Sequence, residues 1–249
     1  MFKSKVFLIS RRQARLAVTG VLALVLLFLL VPPHPPLEQT VLSYGVANKI
    51  IVIDPGHGGL DEGAVRGKYK ESEITLQISK KLAHYLSQAG AMVIMLRENE
   101  SDLSGDEFTG TIGQHKREDM KKRVSTANQA QADLYISIHA NAAPNTVWTG
   151  AQTFYKPKCD ASRGVAVAVQ EELIKALGNT KRKAASGNYY VLNNSRMPAI
   201  LIETGFISNP GEAALLVDSS YQSKLAYAVF TGIARSQMEQ SGHNQEPNP

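Results

Sequence analysis

Four side chains in this sequence are of a kind, and in positions, to do chemistry together. His57 lies in the glycine-rich turn PGHGG that follows KIIVID (49–54). His139 falls at the end of DLYISIHA (133–140), and Glu203 at the end of AILIE (199–203). A histidine at one strand end is, by itself, more often a structural hydrogen-bonding residue. Three polar groups at three strand ends are a different observation, because chance would scatter them over both edges of a sheet. The fourth is Glu71. The helix that follows Tyr69 carries Ile74, Ile78, Leu82 and Tyr85 at spacings of four, four and three, and stepping back three residues along that stripe reaches Glu71. Glu73 aligns with Gln77, Lys81 and His84, a solvated face.

An acid on the buried side of a first turn is costly without a partner. A metal ion would remove that cost, and N-capping of the helix is the other role open to Glu71 on this evidence. Two histidines and one glutamate around a free fourth position form a catalytic zinc set. The linear H-E-x-x-H helix is absent, which excludes the thermolysin-type architecture. Zinc acidifies its water and polarises a carbonyl, and a further carboxylate can then move protons between water and leaving group. Glu203 is the candidate for that work, with His57, Glu71 and His139 on the metal.

The elements that would position these groups follow from hydrophobic period and turn signals. KIIVID, AMVIML (91–96), DLYISIHA, GAQTFYK (150–156) and AILIE read as strands. Residues 71–89, 115–131, 162–178, 210–217 and 220–238 read as helices. The second of these has Met120, Val124 and Ala127 on one face, and the last carries Tyr221, Leu225, Ala228, Val229 and Ile233. Strands alternating with helices predict a single α/β domain with a twisted, mostly parallel central sheet and helices on both faces. In such sheets the site lies beyond the carboxyl ends of the strands, which is where His57, His139 and Glu203 fall. Glu98–Gln114 reads as a long polar loop, substrate-facing, partner-facing or merely solvated. Only Pro157–Ala161 separates the fourth strand from its helix, too short a stretch to form a helix that covers the site.

The 249 residues suit one catalytic domain with short extras. The net charge of +5 invites a nucleic-acid reading, yet residues 1–31 hold Lys3, Lys5, Arg11, Arg12 and Arg15 and no acid. Removing those five leaves 22 bases against 22 acids, so the remainder is formally neutral and no nucleic-acid partner is expected. Residues 1–31 read as a signal-anchor segment: a basic start, then an apolar run from Leu16 to Val31 that Pro32 and Pro33 follow with no small-x-small cleavage site. An uncleaved membrane anchor is favoured over a removed signal peptide. The basic flank places the rest of the chain outside the cytoplasm. Residues 32–48 read as a proline-rich linker, 49–238 as the catalytic domain, and 239–249 as a disordered tail. Cys159 is the sole cysteine, so neither an internal disulfide nor a cysteine metal cluster can form.

The stretches IDPGHGGLDEGAV, KESEITLQISKKLAHYL, RVSTANQAQADLYISIHANA and PAILIETGFISNPGEAALL resemble, in order and spacing, the four signature blocks of the N-acetylmuramoyl-L-alanine amidase 3 family. The resemblance runs from about Lys49 to Ser236. It implies one zinc per domain on His57, Glu71 and His139, Glu203 as catalytic glutamate, and a twisted sheet with helices on both sides. It also implies cleavage of the amide between the lactyl group of N-acetylmuramic acid and the L-alanine of the stem peptide, with peptidoglycan glycan strand and stem peptide as the partners bound. Glu71-Ser72-Glu73 stands where the family usually has Glu-Lys-Asp, which keeps Glu73 as a rival ligand.

Within the family the chain most resembles the germination-specific amidases of spore formers, on TGAQTFYK and ETGFISNPGEAALL. That implies a role in the spore cortex, making muramic δ-lactam together with a deacetylase, and admits an activating lipoprotein. An autolysin-type amidase of vegetative wall turnover or cell separation is the alternative, and a catalytically idle wall-binding protein is another. No wall-binding repeat supports the first, and the second requires one of the four residues to be missing. Arg123 borders the apolar face of its helix and is read as a salt-bridge residue rather than a substrate contact. His34, His84, His115 and His243 lie away from the strand-end edge and read as surface residues.

Overall fold

In the computed structural model, residues 11–12, 15–16, 18–22, 45–105 and 108–243 are described, the side chains of 241–243 excepted. β1 (Ile50–Pro55) is buried from its second residue on and lies inside the sheet, which is why Ile50–Ile53 is a continuous apolar run rather than an alternating one. It pairs in parallel with β4 (Met92–Met95) on one side and β5 (Leu134–Asn141) on the other. β5 pairs in parallel with β8 (Ala199–Phe206). β8 is antiparallel to β6 (Gln152–Tyr155), and the two-residue β7 (Ala185–Ser186) completes the order β4-β1-β5-β8-β6-β7. β2 (Val65–Arg66) and β3 (Tyr69–Lys70) form a small separate hairpin.

Alternate residues of the central strands feed two cores. Ile51, Ile53, Ile136, Ile138, Ile200 and Ile202 face one side. There they meet α1 (Glu71–Gln88), α3 (Asp160–Leu177) and α6 (Ser219–His243), through Ile74, Ile78 and Leu82, Val165 and Val169, and Leu225, Val229 and Ile233. Val52, Tyr135 and Leu201 face the other side. They meet α2 (Ile112–Gln129) and the short α4 (Tyr190–Asn194) through Val124, Ala127, Val191 and Leu192. α5 (Pro210–Leu216) starts at Asn209, whose side chain accepts from the N–H groups of Gly211 and Glu212. The architecture is therefore α/β, with a mostly parallel sheet and helices on both faces.

Several boundaries differ from the sequence reading. Val46, placed in the linker, is fully buried in the core, so the packed domain starts before Lys49. β8 continues past Glu203 to Phe206, because Thr204, Gly205 and Phe206 are also buried and Asn141 pairs with Phe206. α2 begins at Ile112, where Thr111 and Gln114 form a reciprocal capping box that shortens the loop. α6 runs to His243 rather than ending at Met238. The rest of the tail, most of the apolar run Leu16–Val31, and Pro32–Tyr44 lie outside the described residues. Arg11, Arg12, Arg15, Leu16 and 18–22 are helical. Among the described residues no helix is long and apolar enough to cross a membrane.

Candidate metal centre and active site

His57 reaches the site because β1 does not stop at Pro55 as a ladder. The Gly56 N–H donates to the Ile138 carbonyl at 2.9 Å, carrying the pairing one residue further and setting His57 beside His139. The two rings stand edge to face, 5.0 Å between centroids and 82° apart in plane. Only glycine fits at 56: a Cβ there would lie 2.6 Å from His139 Nε2 and 2.7 Å from its Nδ1. His57 itself takes a left-handed backbone conformation, φ 64°, which a non-glycine residue seldom adopts.

Glu71 is the first residue of α1 and is 5% exposed. Its Oε1 lies 3.2 Å from His57 Nε2 and 3.1 Å from His139 Nδ1, and also accepts from the Ala140 N–H at 3.0 Å. Its Oε2 accepts from the Ala64 N–H at 2.9 Å. One ligand atom from each of His57, Glu71 and His139 lies within 4.8 Å of the others. The carboxylate is not an N-cap; it sits where two imidazole nitrogens converge. Burial pushes Glu71 up, but hydrogen bonds from His139 and His57 outweigh it and hold the carboxyl well below the usual range. Glu73 is exposed on the far side of the turn, 3.8 Å from Lys70 Nζ.

His57 Nδ1 lies 2.9 Å from Asp61 Oδ2, so the carboxylate fixes the ring with Nε2 turned to the cluster, the arrangement that orients metal-binding imidazoles. Burial would lower the His57 pKa, but Asp61 and Glu71 prevail and raise it to about 9. Lys116 Nζ pairs with the other Asp61 oxygen at 2.8 Å. Asp61 is not among the residues that strand-end position or helix period singles out, although its place four residues after His57 in GHGGLD is a usable signal.

Glu203 is paired in register with His139 on the neighbouring parallel strand. It shares a cleft with His57, His139, Lys116, Tyr189 and Tyr190. Its Oε2 is buried and has no hydrogen-bond partner among the described residues. Burial raises its pKa to about 7, His139 and Glu71 acting in opposite directions. The cleft wall formed by Tyr189 and Tyr190, at the start of α4, was also missed, since a five-residue helix leaves no period to read.

Arg123 is 3% exposed and forms ion pairs with Asp54 at 2.5 Å and Asp119 at 2.7 Å. Its expected salt-bridge role is what the structure shows. Asp54 also accepts from Tyr135 at 2.5 Å and Ser137 at 2.9 Å. His84 is exposed, and His115 bonds Ser104 at 3.1 Å, away from the cluster. Cys159 precedes α3 as a free thiol. Residues 98–105 and 108–114 contribute nothing to the group of metal-competent side chains.

Residues 51–235 match the family described as N-acetylmuramoyl-L-alanine amidase (amidase 3). The chain is 45% identical over 194 residues to the germination-specific N-acetylmuramoyl-L-alanine amidase of Bacillus subtilis, a match spanning 78% of this chain and 81% of that protein. It is similar to the solved CwlD amidase of Clostridioides difficile in complex with the GerS lipoprotein: TM-score 0.75, 35% identity, 77% of this chain and 100% of the other covered. An N-acetylmuramoyl-L-alanine amidase of Clostridium difficile 630 matches with TM-score 0.66 and 32% identity, over 80% of this chain and 99% of that one.

Proposed function

The chain belongs to the N-acetylmuramoyl-L-alanine amidase family, and from that premise we propose that it is a zinc enzyme of the spore cortex with His57, Glu71 and His139 as metal ligands. That it is an amidase of peptidoglycan follows from the family and from its relatives. The finer reading rests on one observation: two imidazole nitrogens and a carboxylate converge within 4.8 Å beside the unpartnered Oε2 of Glu203.

The donor set fits zinc. Two imidazoles and one carboxylate are the ligands of a catalytic site with a free position, and Asp61 orients one imidazole with Nε2 turned to the cluster. When bound, zinc supplies a Lewis acid that acidifies water and polarises the scissile carbonyl. Glu203 Oε2 accepts the proton that the attacking water loses and delivers it to the L-alanine nitrogen as the amide breaks. Its elevated affinity for a proton, a consequence of burial, suits a group that must take and return one near neutral pH. The aromatic wall of Tyr189 and Tyr190 borders the space in which the sugar and stem peptide would lie.

The cortex role draws support from the similarity to a germination-specific relative, and an activating lipoprotein partner from the relative solved with one. Tethering to the outer side of the membrane draws support from the basic, then apolar, residues 1–31. Mass analysis of muropeptides released from purified cell wall, with and without a chelator, tests the proposal. The expected products are glycan strands bearing free lactyl carboxylates and intact stem peptides with an L-alanine amino terminus, lost when metal is removed. Cleavage within the stem peptide, or release that survives chelation, would reject it.

A further inference from the structure

The turn that carries His57 is gripped by two buried arginines from different parts of the chain. Arg97 lies just beyond β4 and Arg123 lies on α2, and they are 5% and 3% exposed. The Pro55 carbonyl accepts from Arg97 Nε at 2.9 Å and from Arg123 Nη1 at 2.7 Å. The Gly56 carbonyl accepts from Arg97 Nη2 at 2.9 Å, and the His57 carbonyl from Arg123 Nη2 at 2.6 Å. Three successive carbonyls are thus drawn towards guanidinium groups.

Charge does not explain this placement. Two buried cations close to a metal-competent cluster would repel a divalent ion, and Asp54 and Asp119 compensate Arg123. Geometry explains it. A left-handed conformation at a non-glycine residue persists only where the surroundings impose it, and His57 has φ 64°. A guanidinium offers five donors in a rigid planar fork that holds neighbouring carbonyls at fixed spacing, whereas an ammonium is a compact point charge with three rotatable donors. The chain also makes room for it: a Cβ on Gly58 would lie 3.1 Å from Arg97 Cδ. The start of the long polar loop closes the same structure from outside. Asn99 presents its carbonyl to Arg97 Nη1 at 2.9 Å, and Glu100 accepts from the Gly59 N–H at 2.5 Å.

We propose that Arg97 and Arg123 are positioning residues of the metal site: by holding the carbonyls of Pro55, Gly56 and His57 they fix the backbone that turns His57 Nε2 towards Glu71 and His139, and so set metal affinity. On this account Asn99 and Glu100 buttress that turn rather than forming a substrate-facing arm. The inference rests on His57, Glu71 and His139 being the ligands.

The test is zinc affinity of the full chain in detergent, measured by competition with a chromophoric chelator and read beside the thermal midpoint of the metal-free protein. Arg97→Lys and Arg123→Lys keep the charge and lose the fork, and each is expected to weaken zinc binding about 10–100-fold, as loss of groups behind metal ligands does. A merely structural role would lower the midpoint and leave the affinity of the folded protein unchanged. Affinity within about twofold of wild type in a folded Arg97→Lys protein overturns the proposal. Should Arg123→Lys fail to fold, Arg97→Lys decides alone. Glu71→Ala run in parallel separates the two readings. If it binds zinc as tightly as wild type, the ligand assignment fails. If it loses zinc while the lysine variants do not change, only the positioning role fails.

Discussion

His139 and Glu203 face each other in register across β5 and β8. In-register residues on neighbouring strands lie on one face of the sheet, about 4.8 Å apart. The carboxylate is thus placed by the ladder and not by side-chain bonds, its Oε2 having none among the described residues.

Replacing that carboxylate by an amide therefore leaves its position intact. Glu203→Gln is expected to retain zinc in full and to lose about 10²–10⁴-fold in kcat, the usual worth of acid–base catalysis. Metal analysis and turnover of muropeptides check both halves. Near-normal turnover would remove Glu203 from the mechanism.

Glu71→Ala is expected to lose metal and activity together, whereas Glu73→Ala keeps both. Glu71 is 5% exposed between the two histidines, and Glu73 is exposed beside Lys70. Metal content after dialysis against buffer without zinc distinguishes them, and the reverse result would mean that the wrong acid was assigned.

The close passage of β1 over His139 makes Gly56 intolerant. In Gly56→Ala the new methyl group would displace the His139 ring, and zinc affinity should fall at least about tenfold. Chelator competition reads this directly, and unchanged affinity would show that the ring can shift without cost.

Much of this arrangement was legible in the sequence. β1, β5, β8 and α1 announce themselves by period, because burial on both faces or on one stripe constrains every residue in them. That is how the sequence places His57, His139 and Glu203 at one sheet edge and Glu71 on the buried stripe of α1. What could not be read were contacts between distant side chains and backbone. Arg97 reaches Gly56 across 41 residues, and Arg123 reaches His57 across 66; no local spacing encodes a carbonyl acceptor. The left-handed φ of His57 is invisible for the same reason, being imposed by its surroundings. The strand extension to Phe206 was lost because Thr204 and Gly205 look like a turn.

Asp54 supplies a pH prediction. Burial pushes its carboxyl up, but Arg123 and the hydrogen bond from Tyr135 outweigh this and hold it below the usual carboxylate range. A group depressed in the folded state stabilises above its unfolded pKa and ceases to do so as pH falls through the folded value. Wild-type stability should accordingly decline below about pH 4 with a component that Asp54→Asn lacks. Urea midpoints of both proteins across pH 2.5–7 test it, and parallel profiles would contradict the sign.

We propose that His57 Nε2, His139 Nδ1 and the Glu71 carboxylate share one metal ion with a free position facing Glu203. An anomalous difference map at the zinc absorption edge, from crystals of the zinc-loaded protein, tests it most directly. The predicted result is one peak within bonding distance of those three groups, about 2.0–2.2 Å from each ligand atom, with Glu203 outside that shell. A peak held by Asp61 or Glu203 in place of Glu71, or no peak between the two histidines, would contradict it.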